Sequence, residues 1–221
     1  SNKSFRGNYK IMQKILIIGN SPRVLTQKFG KIIDTEFDEV VRVNRFKTDG
    51  FEEFIGERVD TWSLSDEWVY DYMDKPYNLT QRDIKNINKL IISTPGFKYE
   101  YVTDNLKLDF QAFNKSLPSV VIKKNVEERI NSILDINMSP DGPWATTGLL
   151  TIQWAIDNYD DVYIHGFDCY FTHENMHYFE DNRKSDRVFT GKEHDPEKEK
   201  YYLDLLIKTG QIKTIENEYS I

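Results

Sequence analysis

Lys14-Ile-Leu-Ile-Ile-Gly-Asn-Ser-Pro22 carries an uninterrupted apolar run, residues 15–18, straight into a polar turn. A short run rich in β-branched residues, with no polar alternation, reads as a strand buried on both faces, the kind found in parallel sheets. The turn that closes it is where an α/β protein often seats a nucleotide. Gly19 has no Cβ to hold a ligand away from the backbone, and the side chains of Asn20 and Ser21 offer donors and acceptors to a ribose or a phosphate. Gly-Asn-Ser-Pro alone is equally an ordinary loop, and without Gly-x-Gly-x-x-Gly it is no dinucleotide fingerprint.

Similar runs recur at 40–43, 61–64, 90–93, 119–122, 162–164 and 212–215, separated by helical or loop-rich stretches. That alternation predicts a single Rossmann-like α/β domain, a mostly parallel sheet of roughly seven strands flanked by helices. The domain is expected over 14–221, after a polar, aperiodic tail at 1–13 that reads as a tag remnant or trimmed start. The clearest helices are predicted at 147–159 and 196–209, the latter with Asp195 as N-cap, Pro196 in its first turn and Gly210 just past its end. Tyr201, Tyr202, Leu205 and Leu206 would form its apolar face. Residues 99–117 and 171–193 read as irregular, and the second stretch is long enough to serve as a lid.

The balance of 29 basic and 36 acidic residues, net −7, has no basic cluster and argues against a nucleic-acid partner. The single cysteine, Cys169, permits no intrachain disulfide and reads as a packing residue. No apolar stretch approaches the roughly 20 residues that cross a bilayer, so a cytoplasmic protein without a transmembrane segment is expected. No Asp-x-Asp triplet occurs, and no metal site is predicted.

Four further groups could carry chemistry. Asn44, at the end of the second strand, would face the same crevice as Gly19, although an isolated Asn is also a common turn former. Thr146, Thr147 and Gly148 bring hydroxyls and free N–H groups to a helix mouth, which suits an anion and equally suits plain capping. His177 and Tyr178 lie in the long polar stretch, placed either to close over a phosphate or to pin the loop to the core. His194 directly precedes the last helix, whose dipole disfavours imidazolium; Asp195 and Glu199 act in the opposite sense, and either could orient the ring.

Taken in order, the blocks resemble the sialylmotifs of the sialyltransferases. Gly19-Asn-Ser21, Gly30, Ile33-Asp34, Val40-Val-Arg-Val-Asn44, Gly50-Phe-Glu52 and Ile55-Gly56 are similar to the large motif. Thr147-Gly-Leu-Leu150 followed by Asp160-Asp-Val-Tyr-Ile-His-Gly-Phe167 resembles the small one, with Ala145 and Thr146 where the family usually has Pro-Ser. His177-Tyr-Phe-Glu180 is similar to the third motif, and His194 with Glu199 to the very small one. The cysteines that link the large and small motifs in animal enzymes are absent, and no membrane anchor or stem is expected.

The resemblance implies a GT-A-like fold and an inverting, metal-independent transfer of sialic acid from CMP-sialic acid to a sugar hydroxyl, with no cofactor. The partners implied are a CMP-sugar donor and a glycan acceptor. His194 would be the general base, and His177, supported by Tyr178, would stabilise the departing phosphate. The CMP cradle would comprise Gly19, Asn20, Ser21, Asn44, Thr146, Thr147 and Gly148. A transferase for another CMP-activated acidic sugar, such as Kdo or a different nonulosonic acid, and a non-catalytic nucleotide- or glycan-binding relative stay open as alternatives.

Overall fold

β1 (Lys14–Ile18) lies deep in a sheet because its apolar side chains serve both faces. Ile15 and Ile17 pack into one core cluster, whereas Leu16 and Ile18 pack into another on the opposite face, as the two-residue period of a strand requires. Burying four such side chains contributes on the order of 6–12 kcal/mol, an upper figure because the unfolded chain already hides part of that surface.

The computed structural model describes residues 13–66, 69, 79–93, 107–110, 115–136, 143–169, 177–179 and 194–219. The predicted tail, apart from residue 13, and the predicted lid, apart from 177–179, lie outside these described residues. The remaining strands are β2 (Glu39–Val43), β3 (Thr61–Ser65), β4 (Lys89–Ser93), β5 (Lys107–Phe110), β6 (Lys115–Val121), β7 (Asp161–His165) and β8 (Lys213–Thr214). Among the described residues they form an eight-stranded sheet in the order β5-β6-β4-β3-β2-β1-β7-β8.

Every pairing is parallel except that of β5 with β6. The sheet is therefore seven parallel strands plus one antiparallel edge strand. That edge strand arises within 99–117, read as irregular from the sequence. Its four residues alternate Lys107, Leu108, Asp109 and Phe110, and a charged strand this short leaves little periodic signal.

Helices among the described residues include α1 (Gly30–Thr35), α2 (Glu52–Ile55), α3 (Gln81–Asn86), α4 (Lys124–Ile133), α5 (Thr147–Asn158), α6 (Pro196–Lys208) and α7 (Ile215–Glu218), with a 3-10 turn at Pro22–Thr26. On one face α5 supplies Leu149, Ile152 and Ala155 to the cluster that holds Ile15 and Ile17, and α6 covers it with Tyr202, Leu203 and Leu206. On the other, Phe29 and Ile33 join Leu16, Ile18 and Ile215.

α6 starts as predicted, with the Asp195 side chain accepting from Lys198 N–H and Pro196 in the first turn, and Gly210 follows its end at φ +73°. Its buried stripe is Tyr202, Leu203 and Leu206, whereas Tyr201 and Leu205 are exposed at 73% and 40%, so the predicted apolar face is corrected by about one position. The strand expected at 212–215 stops at Thr214, whose hydroxyl caps α7 by accepting from Asn217 N–H. Cys169 packs against the core at φ +52°, and burial pushes its thiol up to about 12, in line with a packing role.

Candidate active site

The chain lays β2, β3 and β4 successively on one side of β1, then returns to place β7 on the other. Connections leave in opposite directions at the β1/β7 boundary, and the carboxyl ends there border the crevice in which open α/β sheets take ligands. Gly19 N–H donates to the His165 carbonyl at 2.8 Å and Ser21 N–H to the Gly166 carbonyl at 3.1 Å, crossing the turn over the end of β7.

The glycine at 19 serves that crossing. A Cβ there would sit 2.5 Å from the Gly166 carbonyl oxygen, so close approach of β7, not of a ligand, demands it. Ser21 is buried, and its hydroxyl accepts from Arg23 N–H at the start of the 3-10 turn. Asn20 donates through Nδ2 to the Val43 carbonyl at 2.9 Å, tying the turn to the end of β2.

Asn44 follows in the left-handed region, φ +52°, with its N–H on the Ser63 carbonyl and its carbonyl taking the Trp62 indole N–H at 2.6 Å. Its buried Oδ1 has no hydrogen-bond partner among the described residues, an acceptor whose need a donor from a ligand would meet.

His177, Tyr178 and Phe179 are fastened across the same two turns. Tyr178 N–H donates to the Asn20 carbonyl at 2.9 Å, and its hydroxyl donates to the Lys47 carbonyl at 2.7 Å while accepting from Lys47 N–H at 3.0 Å. The ring sits in a cluster with Val24 and Ile55, edge-on to Phe51, and burial pushes its hydroxyl up to about 12. Tyr178 thus uses its hydroxyl to pin the segment to the core, and the neighbouring His177 is half-buried, its ring stacked on Phe179 at 5.3 Å.

The second half of the site is the mouth of α5. Thr146 caps the helix by accepting from Leu149 N–H, and Glu199 of α6 grips it with both oxygens: Thr146 N–H donates to Oε1 at 2.7 Å and Oγ1 to Oε2 at 2.8 Å. Burial pushes the Glu199 carboxyl up to about 7, although both bonds from Thr146 pull it down. The Thr146 hydroxyl is therefore committed within the protein. Thr147 accepts from Ser93 Oγ at 3.2 Å and keeps its own O–H to donate.

Gly148 has Phe167 against it: a Cβ there would lie 2.7 Å from Phe167 Cε1, and the same ring atom lies 3.2 Å from the Cβ position of Gly19. One aromatic edge thereby brings the β1 turn and the α5 mouth together.

His194 is oriented by the main chain. Its Nδ1 lies 2.9 Å from the Trp144 carbonyl, and the two rings meet edge-to-face at 6.1 Å. A carbonyl only accepts, so Nδ1 carries the proton and the neutral ring has Nε2 as its basic nitrogen. The two acids expected to act on the ring have other tasks in this geometry: Asp195 caps α6 and Glu199 holds Thr146.

The structure places Gly19, Asn20, Ser21 and Asn44 at the ends of β1 and β2, with Tyr178 fastened to Asn20 and Lys47 and His177 next to it in the chain, and places Thr146, Thr147, Gly148 and His194 around the mouth of α5. Trp144, Phe167 and Lys47, which complete these links, were not singled out from the sequence; Phe167 alone carried a signal, as the last residue of the Gly-Phe block.

A sequence model of glycosyltransferase family 29 (sialyltransferase) matches residues 3–211. Sialyltransferase-like protein 2 of Arabidopsis thaliana is 30% identical over 151 residues, 68% of this chain and 29% of its own length. CMP-N-acetylneuraminate-beta-galactosamide-alpha-2,3-sialyltransferase 2 of Mus musculus is 22% identical over 210 residues, 91% of this chain and 56% of its own length. The chain thus spans less than two thirds of either relative.

Among solved structures, a mammalian sialyltransferase in complex with Gal-beta-1-3GalNAc-ortho-nitrophenol superposes with a TM-score of 0.61 at 16% identity, covering 92% of this chain and 69% of that one. A Campylobacter jejuni sialyltransferase in complex with the substrate analogue CMP-3FNeuAc gives 0.59 at 16% identity, covering 92% and 81%. These likenesses carry the fold, and the match over residues 3–211 carries the family: the chain belongs to the sialyltransferases of glycosyltransferase family 29.

Proposed function

We propose that the chain is an inverting glycosyltransferase that moves sialic acid from CMP-sialic acid to a sugar hydroxyl without a metal. The observation that carries this reading is the bond from His194 Nδ1 to the Trp144 carbonyl, which makes Nε2 the proton acceptor beside the mouth of α5. The acceptor hydroxyl gives its proton to Nε2 as its oxygen attacks the anomeric carbon of the sugar. The bond from that carbon to the CMP phosphate oxygen breaks on the opposite side, and a single displacement inverts the centre.

Charge builds on the departing phosphate, where His177, held in place by the clamped Tyr178, can donate a hydrogen bond. The hydroxyl of Thr147 and the first N–H groups of α5 suit the same anion. The unmet Oδ1 of Asn44 suits a ribose hydroxyl or a base amino group. CMP leaves as a monophosphate, so less charge needs neutralising than for a diphosphate, and the chain has no Asp-x-Asp triplet. Its single cysteine agrees with work in the cytoplasm.

The test uses a panel of CMP-sugars with simple galactosides, followed by mass spectrometry of the products and their anomeric configuration by NMR. His194→Ala should keep CMP affinity while losing roughly 10²–10⁴-fold in transfer. Normal turnover in that variant would remove His194 as the base. Preference for another CMP-activated acidic sugar would reassign the donor and leave the mechanism in place.

A further inference from the structure

The match to the family ends at residue 211, yet the chain continues as β8 and α7, and that extension reaches the end of β7. β8 pairs with β7 at Tyr163 and Ile164, and Ile215 is fully buried in the cluster with Leu16, Ile18 and Phe29. Backbone pairing and apolar burial thus already dock the segment. To them the structure adds a buried polar contact: Glu216 Oε1 lies 2.8 Å from Nδ1 of His165, a residue 2% exposed whose ring is edge-on to Phe29 at 5.6 Å. Nε2 of the same ring is buried with no hydrogen-bond partner among the described residues.

A buried imidazole with one unmet nitrogen is a costly way to dock a helix. An aliphatic side chain of similar size would fill the space without desolvating two polar groups. What the His-Glu contact supplies is direction, because a hydrogen bond fixes orientation where apolar contact does not. The residue it orients carries the carbonyl that accepts Gly19 N–H, and the next carbonyl, of Gly166, accepts Ser21 N–H.

We propose that Glu216 and His165 form a strut by which the C-terminal segment sets the Gly19–Ser21 turn for the nucleotide, with His165 as a positioning residue. The proposal rests on the reading of that turn as part of the CMP cradle.

The strut predicts that stability and nucleotide affinity part company. His165→Leu should melt within a few degrees of the parent or above it, yet bind CMP about 10-fold more weakly, since small displacements from a remote residue are costly at a site. Turnover at saturating donor should stay within about 2-fold, because His194 and His177 are untouched. Glu216→Gln should show a smaller loss of the same kind. His165→Asn, which keeps an N–H close to the place of Nδ1, should recover most of the affinity.

Melting, CMP titration and amide exchange at Gly19 and Ser21 should be measured on all four proteins. Faster exchange at these two amides in His165→Leu, at unchanged melting temperature, supports the strut even if the parent fails to bind CMP, an outcome that would instead remove the cradle reading. Unchanged affinity and exchange in both His165→Leu and Glu216→Gln, or losses that only track a lower melting temperature, would overturn it.

Discussion

Glu199 shows how one buried side chain can tie chemistry to stability. The residue is 4% exposed and its carboxyl receives two hydrogen bonds from Thr146, yet burial outweighs them and its pKa rises from 4.5 to about 7. A carboxyl with a raised folded-state pKa adds stability that is complete below the unfolded value and lost as pH climbs through the folded one. The window therefore runs from about pH 4.5 to somewhat above 7, and the amount is on the order of 3 kcal/mol. Urea melts at pH 5 and pH 8 should show the parent losing more stability than Glu199→Gln across that interval. Equal losses would mean that the site is too wet to hold the shift. All other groups are common to both proteins and cancel in the difference.

At the scale of elements, two glycines on the same phenyl edge should respond differently to an added methyl group. At Gly19 the methyl meets a main-chain carbonyl at 2.5 Å, so the β1 turn or the end of β7 must move. At Gly148 it meets the ring edge of Phe167, which can swing, and alanine gains up to about 1 kcal/mol in helix propensity. Gly19→Ala is therefore expected to lose at least about 2 kcal/mol of stability along with most CMP affinity, and Gly148→Ala far less of both. The reverse order, read by thermal melts and CMP titration, would mean that Phe167 is the more rigid partner.

How legible these elements were follows from where their causes lie. The apolar runs behind β1, β2, β3, β4, β6 and β7 are local, as are Asp195-Pro196 opening α6, and they read directly from the sequence. The order of the four motif blocks was likewise visible. The tasks of individual site residues were not, because Thr146 is committed to a residue 53 positions away and Tyr178 to one 131 positions away. No periodicity records such partners. β5 escaped notice for the opposite reason, being too short and too charged to leave a pattern.

For the molecule as a whole, the sheet joins both halves of the site to one core, so a ligand held across the β1 turn and the α5 mouth should stabilise the entire fold. Clusters on the two faces share β1, and the mouth of α5 rests on the same sheet through the Ser63–Thr151 hydroxyl contact at 2.6 Å and the Ser93–Thr147 contact. A ligand that binds only the native state adds about 2.7 kcal/mol at 100 times its dissociation constant. For a domain of this size that is a rise of about 5–10 °C in Tm. If the phosphate is held by α5 N–H groups and side chains alone, the rise with CMP should be the same in excess EDTA as in added magnesium or manganese. His194→Ala should show it undiminished, since proton acceptance by Nε2 plays no part in holding the nucleotide. A rise that appears only with divalent metal would place a cation at the phosphate and end the metal-independent mechanism, while a full rise in EDTA together with inactive His194→Ala would separate the cradle from the base.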